Sequence, residues 1–322
     1  MDVTDIYAKV SKAFLKNETI PSTVYHYTSP EGLMGIFDDK VPKLYFSQYD
    51  SLNDYKERYD IVDFLHEYCD FLLKEGKMSS LLNNAIKSIE LSDKFLISRN
   101  VREPLQLEDG NIIENLTSMD DEECYTYICS FSIEEDLLPM WRMYSKTDHY
   151  EGFSLGISSI AFDHFSCYEK GYRIERKKTI YSDRDKTELL SELLLPMCEH
   201  YDAATETEKT LWLRFIKQFI HKNQFTFKNK AFEYEKEIRA ILQIPKDENN
   251  KFENISERKY RQKNGIIIPY VEYQLPYNAV RTINLAPSIK EEIAKNNLSD
   301  FLSSKGYKSI NIVPSDIPIR SL

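Results

Sequence analysis

Val24-Tyr25-His26-Tyr27-Thr28-Ser29-Pro30-Glu31 reads as a strand running directly into a helix. Strand alternation puts Tyr25 and Tyr27 on one face and His26 with Thr28 on the other. Ser29 then suits the N-cap, Pro30 the first helical position and Glu31 the first turn. Leu33, Ile36 and Phe37 form the apolar side of this helix, and Lys43-Leu44-Tyr45-Phe46-Ser47 follows as a second strand.

The same reading extends along the 322 residues. Asp5 to Leu15 has Ile6, Val10 and Phe14 at helical spacing. A long helical region is expected from about Tyr55 to Leu96, broken near Glu75-Gly76-Lys77, and Arg99 to Glu123 is charged and loop-like. Tyr125–Phe131 is rich in aromatic and β-branched residues and predicts a strand. A short helix over Asp136–Tyr144, a strand over Gly152–Ile157 and an extended Tyr172–Tyr181 come next. Two helices span about Asp185–Ala203 and Thr205–Asn223. Strands return at Glu235–Ile244, Gly265–Tyr273, Arg281–Leu285 and Ser309–Val313, with a helix over about Ser288–Ser303. The expected class is α+β, a single domain over 1–322 with a helical insert at about 55–97 and a helical pair at about 185–223.

Composition narrows the function classes. Hydrophobic content is 42%, so a packed core is expected and a disordered chain is not. No apolar run approaches the roughly 18 residues of a membrane span. The acidic start, Met1-Asp2-Val3-Thr4-Asp5, lacks the basic-then-apolar pattern of a secretory leader, and a cytoplasmic protein is expected. A net charge of −10 disfavours broad binding to nucleic-acid backbone, although a local basic groove remains compatible with it. Cys69, Cys124, Cys129, Cys167 and Cys198 contain no Cys-x-x-Cys pair and read as buried thiols. Among 9 glycines there is neither Gly-x-Gly-x-x-Gly nor a Walker-type loop, so a bound nucleotide would be held by other means.

Four groups of residues carry candidate chemistry. His26 with Thr28 at a sheet edge suits ribose hydroxyls or an amide; the simpler reading is a structural histidine. Asn53, Asp54 and Glu57 lie at a strand-to-helix junction, where they serve as a helix cap or line a binding site. Glu235 and Glu237, two apart on an expected strand, share a face, and Arg239 rejoins that face within reach of Glu237. They read either as a solvated strand face with a Glu–Arg pair or as carboxylates that steady a developing oxocarbenium ion. Trp141 and Tyr144, neighbours on a helix, read as packing or as a stacking surface for a nicotinamide or adenine ring. Gly152 permits close approach of a ligand or of backbone. There is no His-Glu-x-x-His, EF-hand loop or Gly-x-Ser-x-Gly, and a magnesium site built on Asp54, Glu57, Glu235 and Glu237 is a lesser alternative.

In order, Tyr25–Ser29, Leu52-Asn53-Asp54 with Glu57, Cys129-Ser130-Phe131-Ser132, Trp141 with Tyr144 and Gly152, Tyr234–Arg239 and Ser315-Asp316-Ile317-Pro318 resemble the bacterial domain-of-unknown-function 2971 family. The resemblance spans about residues 24 to 320 and departs at Tyr55, where the family commonly has proline. The His-x-Thr strand, capped helix and following strand also resemble the opening of ADP-ribosyltransferase folds, which implies a split sheet with helical insertions. That resemblance implies NAD as substrate, His26 and Thr28 binding it, Glu237 as catalytic carboxylate and Glu235 orienting the acceptor. It implies transfer of ADP-ribose to a protein or nucleic acid, or NAD hydrolysis, with no metal, in bacterial defence or as a toxin. A non-enzymatic regulatory protein on the same scaffold and a metal-dependent hydrolase of nucleic acid or nucleotide are the alternatives.

Overall fold

The computed structural model describes residues 19–51, 59–90, 95–106, 112–144, 151–162, 172–246, 251–263, 265–289 and 291–318. These fall into two compact units interleaved along the chain. One contains 59–90 and 177–236; the other contains the described parts of 20–51, 95–176 and 237–318. The expected helix over Asp5–Leu15 lies outside the described residues.

The first unit is helical: α2 (Asp60–Lys74), α3 (Ser80–Lys87), α5 (Asp183–Cys198) and α6 (Glu206–Asn223). Ile61, Leu65, Cys69 and Leu72 are the buried stripe of α2, at the spacing of one helix face. A reciprocal capping box between Thr205 and Glu208 starts α6, which buries Leu211, Trp212, Phe215, Ile216, Phe219 and Ile220. The helical insert ends sooner than expected, because Phe95 already opens a strand.

The second unit is built on a large mixed sheet: β1 (Thr23–Thr28), β2 (Lys43–Gln48), β3 (Phe95–Gln106), β4 (Ile112–Ser132), β5 (Phe153–Ser158), β6 (Arg173–Lys178), β7 (Glu237–Pro245), β8 (Lys259–Lys263), β9 (Ile266–Gln274), β10 (Val280–Leu285) and β11 (Asn311–Pro314). The path runs β11-β10-β5-β1-β4-β2-β9-β8, with β7 also on β4 and β6 beyond it. The β10–β11 pair is parallel. Helices α1 (Pro30–Ile36), α4 (Leu138–Tyr144) and α7 (Glu291–Ser304) belong to this unit. Ser29 caps α1 as expected, accepting from the Gly32 backbone N–H at 3.2 Å. Among the described residues no helix is long and apolar enough to cross a membrane.

Of the loop expected over Arg99–Glu123, the described residues 99–106 and 112–123 are instead strand, in the paired ladder of β3 and β4. Backbone pairing between the two strands forms this ribbon.

The main core lies on one face of the sheet, where Val24, Leu44, Phe46, Cys129, Phe131, Leu155, Ile238, Ala240, Leu242 and Ile283 are all buried. On the other face α4 lays Met140 and Trp141 over Tyr27 and Ala286.

Candidate functional site

Strand β4 organises the site. β7 follows one of its edges from Cys124 to Ser132. Its other edge is shared, with β1 meeting it at Tyr25↔Ser132 and β2 at Ser47↔Ile128 and Gln48↔Tyr127. Beyond Tyr25, β1 continues along β5 only. The sheet therefore splits at Ser130, between the two contacts.

His26 occupies that split. Its Nδ1 lies 3.1 Å from the Ser130 carbonyl oxygen, in the place a ladder hydrogen bond would otherwise fill. The ring is 5.6 Å from that of Phe131, and Nδ1 is 3.8 Å from Cys129 Sγ. Burial lowers its pKa to about 4, with a further push from the Arg261 charge and an opposing pull from the Ser130 carbonyl. At neutral pH the imidazole is uncharged. Nδ1–H then donates to Ser130 and Nε2 is left as an acceptor.

Register decides which groups share a face. Directly opposed residues on neighbouring strands point the same way. Thr282, Gly156, Tyr25, Ser132 and Glu237 form one row across β10, β5, β1, β4 and β7. His26 belongs to the adjacent row with Leu155 and Ile283, on the core face. Glu237 thus shares its face with Tyr25, and His26 points to the opposite one.

The two expected strand glutamates are separated by a turn. Glu235 ends a 3-10 helix over Lys230–Glu235, Lys236 takes a left-handed φ of 45°, and only Glu237 begins β7. The expected common face for Glu235 and Glu237 is corrected accordingly. The Lys236 backbone N–H closes the helical turn onto the Glu233 carbonyl, which prevents the strand from starting earlier. A left-handed lysine costs about 1–2 kcal/mol, a strain that persists only where its surroundings impose it.

Each carboxylate has a cation. Glu237 Oε2 accepts from the Arg239 guanidinium at 2.9 Å, with side chains 4% and 1% exposed. Their same-face placement two residues apart on β7 is what brings them together. Within the helical unit, Glu235 Oε2 lies 2.5 Å from Lys228 Nζ.

The other expected site residues have mixed placements. Thr28 is buried, and its carbonyl oxygen would stand 2.9 Å from a Cβ at Gly152, whose φ is +150°. The space at Gly152 is thus used by backbone. Trp141 is 1% exposed, meets Tyr27 edge-on at 4.8 Å and donates from Nε1 to Asp136 at 2.7 Å. Asp136 also accepts from Ser315 Oγ at 2.8 Å and the Asp316 backbone N–H at 3.0 Å, so the late Ser-Asp-Ile-Pro segment fastens α4 in place. Tyr144 is partly exposed, its ring 6.3 Å from that of Tyr27. Asn53, Asp54 and Glu57 lie outside the described residues. Among the described residues no group of three or more His, Cys, Asp or Glu side chains could hold a metal ion.

Two residues at the split had no separate reading from sequence. Ser47 is buried on β2, and its hydroxyl accepts from Arg261 of β8 at 2.8 Å across 214 positions of sequence. The basic residues at every second position, Lys259, Arg261 and Lys263, were the available signal.

No curated protein and no solved structure matches the chain. Residues 140–240 match the family model described as Protein of unknown function (DUF2971), and over that segment, which runs from α4 through the Glu-Lys-Glu turn, the chain carries this family's pattern.

Proposed function

We propose that the protein is an ADP-ribosyltransferase-like enzyme that uses NAD, with its reacting centre at the split in the sheet. The observation that supports this is the division of the ladder at Ser130, with His26 seated in the gap and Glu237 opening β7 on the far edge of β4. His26 and Glu237 point to opposite faces, so a ligand common to both must lie within the gap itself, where the sheet is open between β1 and β2. His26 Nε2 would accept from a ribose hydroxyl. Glu237 would steady the oxocarbenium ion as the nicotinamide leaves with the bonding electron pair. Water or an acceptor nucleophile, protein or nucleic acid, then takes the ribosyl carbon.

The test is release of nicotinamide from NAD, with and without cell extract, by wild-type protein and by Glu237→Gln. Glutamine keeps the size of the side chain and is the safer variant for Arg239. Release by the wild type that disappears in the variant is the expected result. Release that persists in the variant would remove Glu237 from the chemistry.

A second reading is favoured by the buried Glu237–Arg239 pair, which commits the carboxylate to a structural partner. In that reading the scaffold binds a nucleotide-like ligand without turnover. Binding of NAD or ADP-ribose with no nicotinamide release is its signature.

A further inference from the structure

We propose that Arg261 anchors an anion subsite on the β2 side of the split, and that the ligand it holds carries a phosphate or pyrophosphate group. This rests on the reading above in placing the ligand at the split, and it names the ligand group met there. Arg261 is fastened to Ser47, and Ser47 opposes Ile128, two residues along β4 from the Ser130 carbonyl that receives His26. The guanidinium is therefore held beside β2 near the split, on the face that Ser47 shares with Glu237. Its positive charge reaches both His26 and Cys129.

Two tyrosine rings flank Arg261. Its guanidinium carbon is 5.6 Å from the ring centres of both Tyr45 and Tyr270, which attract a cation through their faces and restrict its swing. The nearby lysines have carboxylates: Lys259 and Lys43 both reach Glu272, at 3.0 and 3.4 Å, and Lys43 also reaches Asp39 at 3.1 Å. Among the described residues Arg261 makes no ion pair. Its one hydrogen bond there is to the Ser47 hydroxyl, and its buried Nε has no partner. A partly buried guanidinium with unused donors and no anion is an incomplete pair.

The donor set favours phosphate. A guanidinium presents a planar fork that matches two oxygens of a phosphate. The Ser47 oxygen accepts from Arg261, so its own O–H is directed elsewhere and adds a third donor beside the fork. A tetrahedral oxyanion uses three such donors; a carboxylate has only two oxygens to offer. Arginine also keeps its charge across the working pH range, so the subsite does not depend on the protonation of His26.

The experiment is calorimetric titration of the full chain with inorganic pyrophosphate and with ADP-ribose, using acetate as control. The expected result is saturable binding of both phosphate probes, weakened at least about tenfold in Arg261→Gln and partly restored in Arg261→Lys. Ser47→Ala, which keeps the cation, should weaken binding a few-fold and guards against a folding defect in the first variant. Wild-type protein that binds neither probe at millimolar concentration, or an Arg261→Gln protein that binds as the wild type does, would overturn the proposal. Nicotinamide release is measured on the same preparations. Arg261-dependent binding without release leaves this subsite standing and removes the NAD-cleaving reading; release with unchanged binding in Arg261→Gln does the reverse.

Discussion

Glu235 and Glu237 are two residues apart, and each is buried against a cation, but the pairs differ in construction. Glu237 meets Arg239 along one strand, where alternation alone sets both side chains on the same face. Glu235 meets Lys228 at the end of a 3-10 helix in the other unit, seven positions back along the chain. Arginine cannot release its proton at accessible pH, whereas a buried lysine can. Each carboxylate therefore neutralises a different liability, and a motif that looks uniform in sequence holds two unlike devices.

The largest effect is expected at the strand pair. Glu237→Ala leaves Arg239 buried without this carboxylate and should cost about 3–5 kcal/mol in urea unfolding, with no recovery at high pH. A loss below about 1 kcal/mol would show that the pair is not what secures β7. Glu235→Gln should cost about 2 kcal/mol near pH 7. Here the sign with pH is opposite to a fixed deficit. Burial without this carboxylate disfavours the charged ammonium of Lys228, so the unfolded chain binds more protons and the variant regains stability as pH rises toward 10. A deficit that stays flat with pH would place the two pairs in one class after all.

His26 supplies the next contrast, as a buried base with a carbonyl rather than a carboxylate for a partner. Its folded pKa of about 4 lies below the ordinary value of 6.5. Its contribution is fully present above pH 6.5 and is lost as pH falls through about 4. After discounting for its partial exposure, this amounts to about 2 kcal/mol. Unfolding measured from pH 7 to 4 should show that slope in the wild type and lose it in His26→Gln. The smallest effect concerns the residue between the glutamates. Lys236→Gly relieves the left-handed strain and should stabilise by about 0.5–1 kcal/mol, since glycine gives back part of the gain through unfolded-state entropy. Destabilisation instead would mean that the Lys236 side chain contributes more than its backbone costs.

Much of the local structure was legible. The Ser29 cap, the Thr205 helix start, the Tyr25/His26 alternation and the nearness of Arg239 to Glu237 all depend on neighbours within a few residues, and all are present. Where the reading failed, distant partners were responsible. The described parts of Arg99–Glu123 read as loop because their pairing partners lie on the facing strand, outside any local window. The expected Glu235–Ile244 strand begins two residues late, because Glu235 closes a 3-10 helix and Lys236 turns left-handed before Glu237.

The sequence by itself determined the mixed α/β class, the caps and the apolar stripes. These follow from backbone sterics and from the two short periodicities of side chains. Only the tertiary structure decided that β1 leaves β4 after Tyr25, that His26 fills the resulting gap, that Glu237 points to the face opposite His26, and that Arg261 reaches Ser47 across 214 positions. Strand order and register are long-range pairings, fixed by the packing of a whole sheet, and no local stretch of residues encodes them.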